Sequence, residues 1–215
     1  MSQRLLVVED SKPIATVIKQ IAQSLNFTVV IATTLAQVEE VLAGDNNFFA
    51  ATVDYALPDA SDGEAIACVL SHGIPSVVMT GKMDDATRQK ILAQPVIDYI
   101  PKENSQAFLY LKRILHWQKT NSGNGILVVD DSSAARNHIV ELLKRRNFSV
   151  YIANDGIQAL EVLEKNGHTV IPFSMKSDKN LPTRYDRFFV DEVNFQNPIY
   201  YWRLEPLNYQ TFYYR

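Results

Sequence analysis

Cysteine is almost absent from this chain of 215 residues, because Cys68 is the only one. A single thiol cannot form an intramolecular disulfide, so a disulfide-stapled fold is excluded and we expect a reducing, cytoplasmic setting. Long apolar runs are absent too, since none approaches the roughly 20 residues that a membrane-spanning helix needs. The first apolar run, Leu5–Val8, meets Glu9 and Asp10 at once. We therefore expect no membrane association and no signal peptide.

The chain also lacks a strong excess of charge of either sign, with a formal net charge of −3. No basic segment of the kind that inserts into DNA follows either half of the chain, so nucleic acid is not an expected partner. Hydrophobic residues make up 47% of the sequence, which is enough for packed cores and excludes wholesale disorder. The length suggests one large domain or two small ones.

An internal repeat divides the chain. The segment 5–11 (Leu-Leu-Val-Val-Glu-Asp-Ser) returns at 126–132 as Ile-Leu-Val-Val-Asp-Asp-Ser, an offset of 121 residues. At the same offset Asn26-Phe27 matches Asn147-Phe148, and the register holds without a gap over about 40 residues. Two unrelated apolar strands would not keep such a register, so the chain contains two related units.

Apolar runs alternate with helical spacing through the first unit, which is typical of a parallel sheet with crossover helices. This pattern predicts a doubly wound, five-stranded α/β fold, followed by a partial second unit of the same type. The predicted strands are 5–8, 27–31, 49–53, 76–79 and 96–100. The predicted helices are 12–25, 35–42, 64–70, 85–92 and 106–117.

Reactive side chains stand where these strands end. Glu9 and Asp10 follow the first strand, Asp54 the third and Thr80 the fourth, and Lys102 lies just beyond the fifth. Taken alone, an aspartate at a strand end is usually a turn residue or a helix cap. The set is more informative, because ligands bind beyond the carboxyl ends of such strands. Clustered carboxylates repel unless a cation binds, and Mg²⁺ suits oxygen ligands and a transferred phosphoryl group.

Residues 1–118 resemble a response-regulator receiver domain. The motifs that carry the resemblance are 7–11 (Val-Val-Glu-Asp-Ser), 53–59 (Val-Asp-Tyr-Ala-Leu-Pro-Asp), 78–81 (Val-Met-Thr-Gly) and 99–102 (Tyr-Ile-Pro-Lys).

The resemblance implies a flavodoxin-like fold and a two-component signalling role. Asp54 would accept a phosphoryl group from a histidine kinase or a phosphotransfer protein, assisted by Thr80 and Lys102. Tyr99 would be the switch aromatic, and a homodimer is compatible with the family. The implied Mg²⁺ ligands are Glu9, Asp10, Asp54 and the backbone carbonyl of Ala56. Such a domain is not an enzyme beyond its own phosphorylation and dephosphorylation.

The second unit begins like a receiver and does not finish like one. Residues 119–125 are predicted as a linker, and residues 126–167 resemble the N-terminal part of a second receiver. Asp130 and Asp131 match its acidic pair. The offset of 121 places the acceptor position at Met175. Asp178 and Asp191 are alternatives that would need insertions. Asp178 follows a polar, proline-containing stretch, and Asp191 is not followed by suitably spaced threonine and lysine residues.

Residues 168–215 form a divergent tail that holds 12 of the chain's 22 aromatic residues and has no clear strand or helix period. A shifted reading frame or a gene remnant would explain it, and so would a divergent partner-binding surface. The coding DNA discriminates between these hypotheses, because a shifted frame would encode the missing receiver motifs downstream.

Three functions are weighed. The leading one is a phosphorylation-controlled receiver, similar to the front of receiver–receiver–diguanylate cyclase (GGDEF) regulators, although no GGDEF-like segment is present in this chain. The second is an interaction module that is not phosphorylated. The third is a dehalogenase-like phosphatase, which is disfavoured because such enzymes place the nucleophile after the first strand rather than the third.

Overall fold

The computed structural model describes residues 3–81, 84–102, 105–166, 170–173, 189–190 and 200–201. The chain divides into two compact units, Met1–Trp117 and Gln118–Arg215. No helix among the described residues is long and apolar enough to cross a membrane.

The first unit is a five-stranded sheet in the order β2-β1-β3-β4-β5, with every neighbouring pair parallel. This is the predicted doubly wound receiver fold. The strands are β1 (Gln3–Val8), β2 (Phe27–Ala32), β3 (Ala50–Asp54), β4 (Ser76–Thr80) and β5 (Asp98–Pro101). The helices are α1 (Lys12–Ser24), α2 (Leu35–Gly44), α3 (Glu64–Ser71), α4 (Asp85–Leu92) and α5 (Ser105–Thr120).

The sheet is buried on both faces because its central strands are apolar at successive positions. Leu6 and Val8 of β1 join one core cluster, whereas Leu5 and Val7 point into the other. Side chains alternate across a strand, so a continuous apolar run supplies both layers at once. Helix α5 contributes Leu111 to the second cluster. The central strands are thereby held rigidly, and so are the residues at their carboxyl ends.

The second unit repeats the start of this plan. Strands β6 (Gly125–Val129), β7 (Ser149–Ala153) and β8 (Val170–Phe173) form a parallel sheet in the order β7-β6-β8. Helices α6 (Ser133–Arg145) and α7 (Gly156–Asn166) connect them, and β9 (Phe189–Val190) pairs antiparallel with β10 (Tyr200–Tyr201). Residues 119–125, predicted as a linker, are the last turn of α5, a short 3-10 turn (Asn121–Gly123) and the start of β6.

Backbone pairing shows that the two units also correspond in their third strands, where their sequences are no longer similar. Leu5 pairs with Ala50 between β1 and β3, and Ile126 pairs with Ile171 between β6 and β8, so the offset of 121 holds in the third strand. Both first helices also end in an asparagine with positive φ, 61° at Asn26 and 63° at Asn147. Asparagine tolerates this left-handed conformation at the end of a helix. Strand β8 lies inside the range assigned from sequence to the divergent tail.

Candidate functional site

The parallel pairing brings the predicted site residues of the first unit to one edge of the sheet. Glu9 and Asp10 follow β1, Asp54 ends the adjacent β3, and Thr80 ends β4. Glu9, Asp10 and Asp54 each have one carboxylate oxygen that lies within 4.8 Å of the corresponding oxygens of the other two residues. Glu9 and Asp54 are buried, whereas Asp10 is exposed. The cluster therefore has a solvent-facing side.

Lys102 holds the two buried carboxylates together. Its Nζ lies 2.6 Å from Oε2 of Glu9 and 2.6 Å from Oδ2 of Asp54. Its side chain is only 8% exposed, against 2% for Glu9 and 11% for Asp54. The Lys102 amide also donates to the Thr80 carbonyl at 2.8 Å, which fixes the chain just beyond β5. The cluster thus holds three carboxylates and one ammonium, which contacts two of them, so a further cation would be favoured at this site.

The pKa of Glu9 also indicates that negative charge at the site is not fully compensated. Burial raises the pKa of its carboxyl above the ordinary value, while Lys102 acts in the opposite direction and offsets only part of the effect. The neighbouring Asp54 raises the Glu9 pKa further, and the amide of Ser11 donates to Oε1 at 3.3 Å. A second cation at this edge would stabilise the charged carboxylate.

Three further predicted residues lie on β4, on β5 and just after β3. Thr80 is buried at the end of β4, and Tyr99 is half-buried against the first core cluster. The amide of Ala56 donates to Oδ1 of Asp54 at 3.4 Å. The backbone that carries the Ala56 carbonyl therefore adjoins the carboxylates, while its role as a metal ligand and the switch role of Tyr99 stay predictions.

The donor set fits Mg²⁺. The three carboxylate oxygens are near enough to share one ion, and they are the hard ligands that Mg²⁺ prefers. Exposure of Asp10 leaves room for the water ligands that Mg²⁺ usually retains.

Sequence reasoning missed a set of contacts in the loop after Asp54. Gly63 in this loop is the N-cap of α3. The carboxylate of Asp62, however, accepts a hydrogen bond from the Tyr55 hydroxyl at 2.6 Å and lies 2.7 Å from Nζ of Lys90 on α4. Asp59 accepts the amides at the start of α2. No local pattern signals these pairings, because the partners are separated by 7, 24 and 28 residues along the chain.

The second unit retains the acidic pair without a third carboxylate beside it in the part of the chain that the structure describes. Asp130 is buried and its Oδ1 accepts the Ser132 amide at 2.8 Å, while Asp131 is exposed. Nη1 of Arg136 donates to the Asp130 backbone carbonyl at 2.6 Å. Because β8 keeps the offset of 121, the position equivalent to Asp54 is Met175, two residues past Phe173 and outside the described residues.

The alternative acceptors also lie outside the described residues. Asp178 and Asp191 are both in this group. The strand that precedes Asp191, β9, pairs with β10, and the third strand of the sheet is β8.

Comparison with solved structures shows that this chain is similar to receiver domains of response regulators. A two-component response regulator/GGDEF domain protein is 31% identical, with a TM-score of 0.68, and the match covers 76% of this chain and 66% of that one. A second structure of such a protein gives 31% identity, a TM-score of 0.67 and the same coverages. This chain thus spans slightly less than two thirds of their length.

The phosphorylated cyanobacterial phytochrome response regulator RcpA shares the fold, at 21% identity and a TM-score of 0.50, over 54% of this chain and 94% of that one. No protein-family model matches the chain. No curated protein matches it by sequence. The doubly wound fold of the first unit is the receiver fold of the response regulators that this chain matches.

Proposed function

We propose that the first unit is the receiver of a two-component pathway and that Asp54 accepts its phosphoryl group. The observation that carries this proposal is the buried bridge of Lys102 between Glu9 and Asp54, beside the exposed Asp10. A carboxylate nucleophile, a fixed ammonium and spare acidic ligands are the parts that phosphoryl transfer requires, because such transfer depends on positioning and charge stabilisation.

The proposed reaction moves one phosphoryl group between two side chains. A carboxylate oxygen of Asp54 forms a bond to phosphorus while the P–N bond of a donor phosphohistidine breaks, and the imidazole leaves with the electron pair. Lys102 supplies positive charge to the phosphoryl oxygens, and the Thr80 hydroxyl supplies a hydrogen bond. Mg²⁺, held by Glu9, Asp10, Asp54 and the Ala56 carbonyl, would neutralise further charge on the group in transfer. The donor is a histidine kinase or a phosphotransfer protein.

The second unit, in this proposal, is not phosphorylated and acts as an interaction module. The register of β8 supports this assignment, because it puts methionine at the acceptor position. Both matched regulator structures are GGDEF domain proteins. We propose that a longer relative of this chain would couple the receiver to a cyclase output.

Labelling with acetyl phosphate and Mg²⁺, followed by intact mass, tests the proposal on the full chain. We expect wild type to gain one phosphoryl group and Asp54→Ala to gain none. Asp130→Ala is the matched control, because it removes a buried acid that follows the first strand of the second unit, and it should label like wild type. Labelling that survives Asp54→Ala would overturn the assignment, and so would a wild-type chain that takes no label.

A further inference from the structure

The side chain of Tyr55 links the acceptor to elements outside the carboxylate cluster. Tyr55 directly follows Asp54 and is buried, 2% exposed. Its ring packs against Gly63, where an added Cβ would lie 3.0 Å from Cε2 and where φ is +87°. Its hydroxyl donates to Oδ1 of Asp62 at 2.6 Å, a short bond to a carboxylate. The position of Tyr55 is therefore defined at both ends of its side chain.

Helix α4 contacts the carboxylate of Asp62 through Lys90. Nζ of Lys90 lies 3.0 Å from Oδ1 and 2.7 Å from Oδ2 of Asp62, so the ammonium contacts both carboxylate oxygens. The Lys90–Asp62 pair is exposed, so its own contribution to stability is small, but it restrains the carboxylate that accepts the half-buried hydrogen bond from Tyr55.

Backbone hydrogen bonds connect Tyr55 to the residues beside the acceptor Asp54. Its amide donates to the Met79 carbonyl at 3.2 Å, and its carbonyl accepts the Gly63 amide at 3.1 Å. The next amide, that of Ala56, donates to Oδ1 of Asp54. A displacement of the Tyr55 side chain would thus move the Ala56 amide that contacts the acceptor, and with it the residue whose carbonyl is the proposed metal ligand.

We propose that Tyr55, Asp62 and Lys90 are positioning residues for the metal and phosphoryl site, and that through them α4 determines the placement of the Tyr55–Ala56 peptide. This inference rests on the proposed function of that site. Outer contacts that orient ligands typically change metal affinity about 10- to 100-fold when removed. The coupling is reciprocal, so a cation bound at the site stabilises the contact between Asp62 and α4.

The test measures Mn²⁺ affinity of the full chain, from the paramagnetic resonance signal of free Mn²⁺. Tyr55→Phe should bind Mn²⁺ about tenfold more weakly. Tyr110→Phe is the matched control, because it removes a hydroxyl that donates to Asp98 at 2.8 Å at the opposite end of β5, and it should bind like wild type. Lys90→Met should weaken binding about twofold and Lys90→Arg should restore it, as expected for an exposed ion pair.

The outcomes separate the inference from the function it rests on. If wild type binds Mn²⁺ and Tyr55→Phe binds as tightly as Tyr110→Phe, the positioning role is wrong and the receiver assignment stands. A wild type that neither binds Mn²⁺ nor labels with acetyl phosphate would overturn both. If Tyr55→Phe fails to fold by circular dichroism, the surface variant Asp62→Ala decides, with weakened binding expected and unchanged binding contradicting the proposal.

Discussion

Replacing Lys102 by methionine tests how the buried charges are balanced. The variant keeps the length of the side chain and leaves Glu9 and Asp54 without their shared cation, which now sits 2.6 Å from each. Removing one partner of a buried ion pair costs about 3–5 kcal/mol. Asp54 is 11% exposed and the neighbouring Asp10 faces solvent, so we expect the lower end, about 3 kcal/mol.

Hydrogen exchange of the β1 amides measures this loss in the full chain, because central strand amides open only with the whole unit. In chelator, a loss of about 3 kcal/mol corresponds to roughly hundredfold faster exchange in Lys102→Met. With excess Mg²⁺ most of the protection should return, since the metal ion replaces the missing positive charge. Lys112→Met is the control, as this lysine is exposed on α5. An equal loss with and without Mg²⁺ would refute the reasoning.

Two further predictions concern pH. The amides of Leu35 and Ala36 lower the pKa of Asp59, so this carboxylate stabilises the fold above the ordinary aspartate range and loses that effect as pH falls through its lowered pKa. Asp59→Asn should therefore reduce the urea midpoint at neutral pH and match wild type in acid, and a deficit that persists in acid would contradict this. Burial raises the pKa of Glu9, so wild type loses stability as pH rises above the ordinary glutamate value of 4.5. With a chelator present, the urea midpoint of Glu9→Gln should exceed that of wild type by a margin that grows as pH rises from 4.5 through the raised pKa of Glu9. A margin that shrinks over this pH range would contradict the prediction.

Apolar periodicity predicted most of the fold. The spacing of residues 12–25 indicated a helix that the structure places at Lys12–Ser24, and the run at 27–31 became β2, Phe27–Ala32. An apolar residue can be buried without belonging to a strand, however. Val96 and Ile97 were assigned to the fifth strand because they are apolar, yet β5 begins at Asp98 and both residues are buried just before it.

The sequence by itself determined which residues stand at the strand ends and that two units share one register. Both are local properties: an apolar run predicts a strand, and the residue after it lies at the edge of a parallel sheet. The offset of the repeat put the acceptor position of the second unit at Met175, and the pairing of Ile171 with Ile126 keeps that offset, although the sequence pattern did not predict β8.

Only the tertiary structure decided which charges meet. Lys102 lies 93 residues from Glu9 and 48 from Asp54, and Lys90 lies 28 from Asp62. A lysine after a strand is usually solvated, so its sequence neighbours could not show that it would be buried between two carboxylates. Such pairs are selected by the packing of distant strands and helices, because burial makes an unpaired charge costly and leaves the opposite charge as the stable partner.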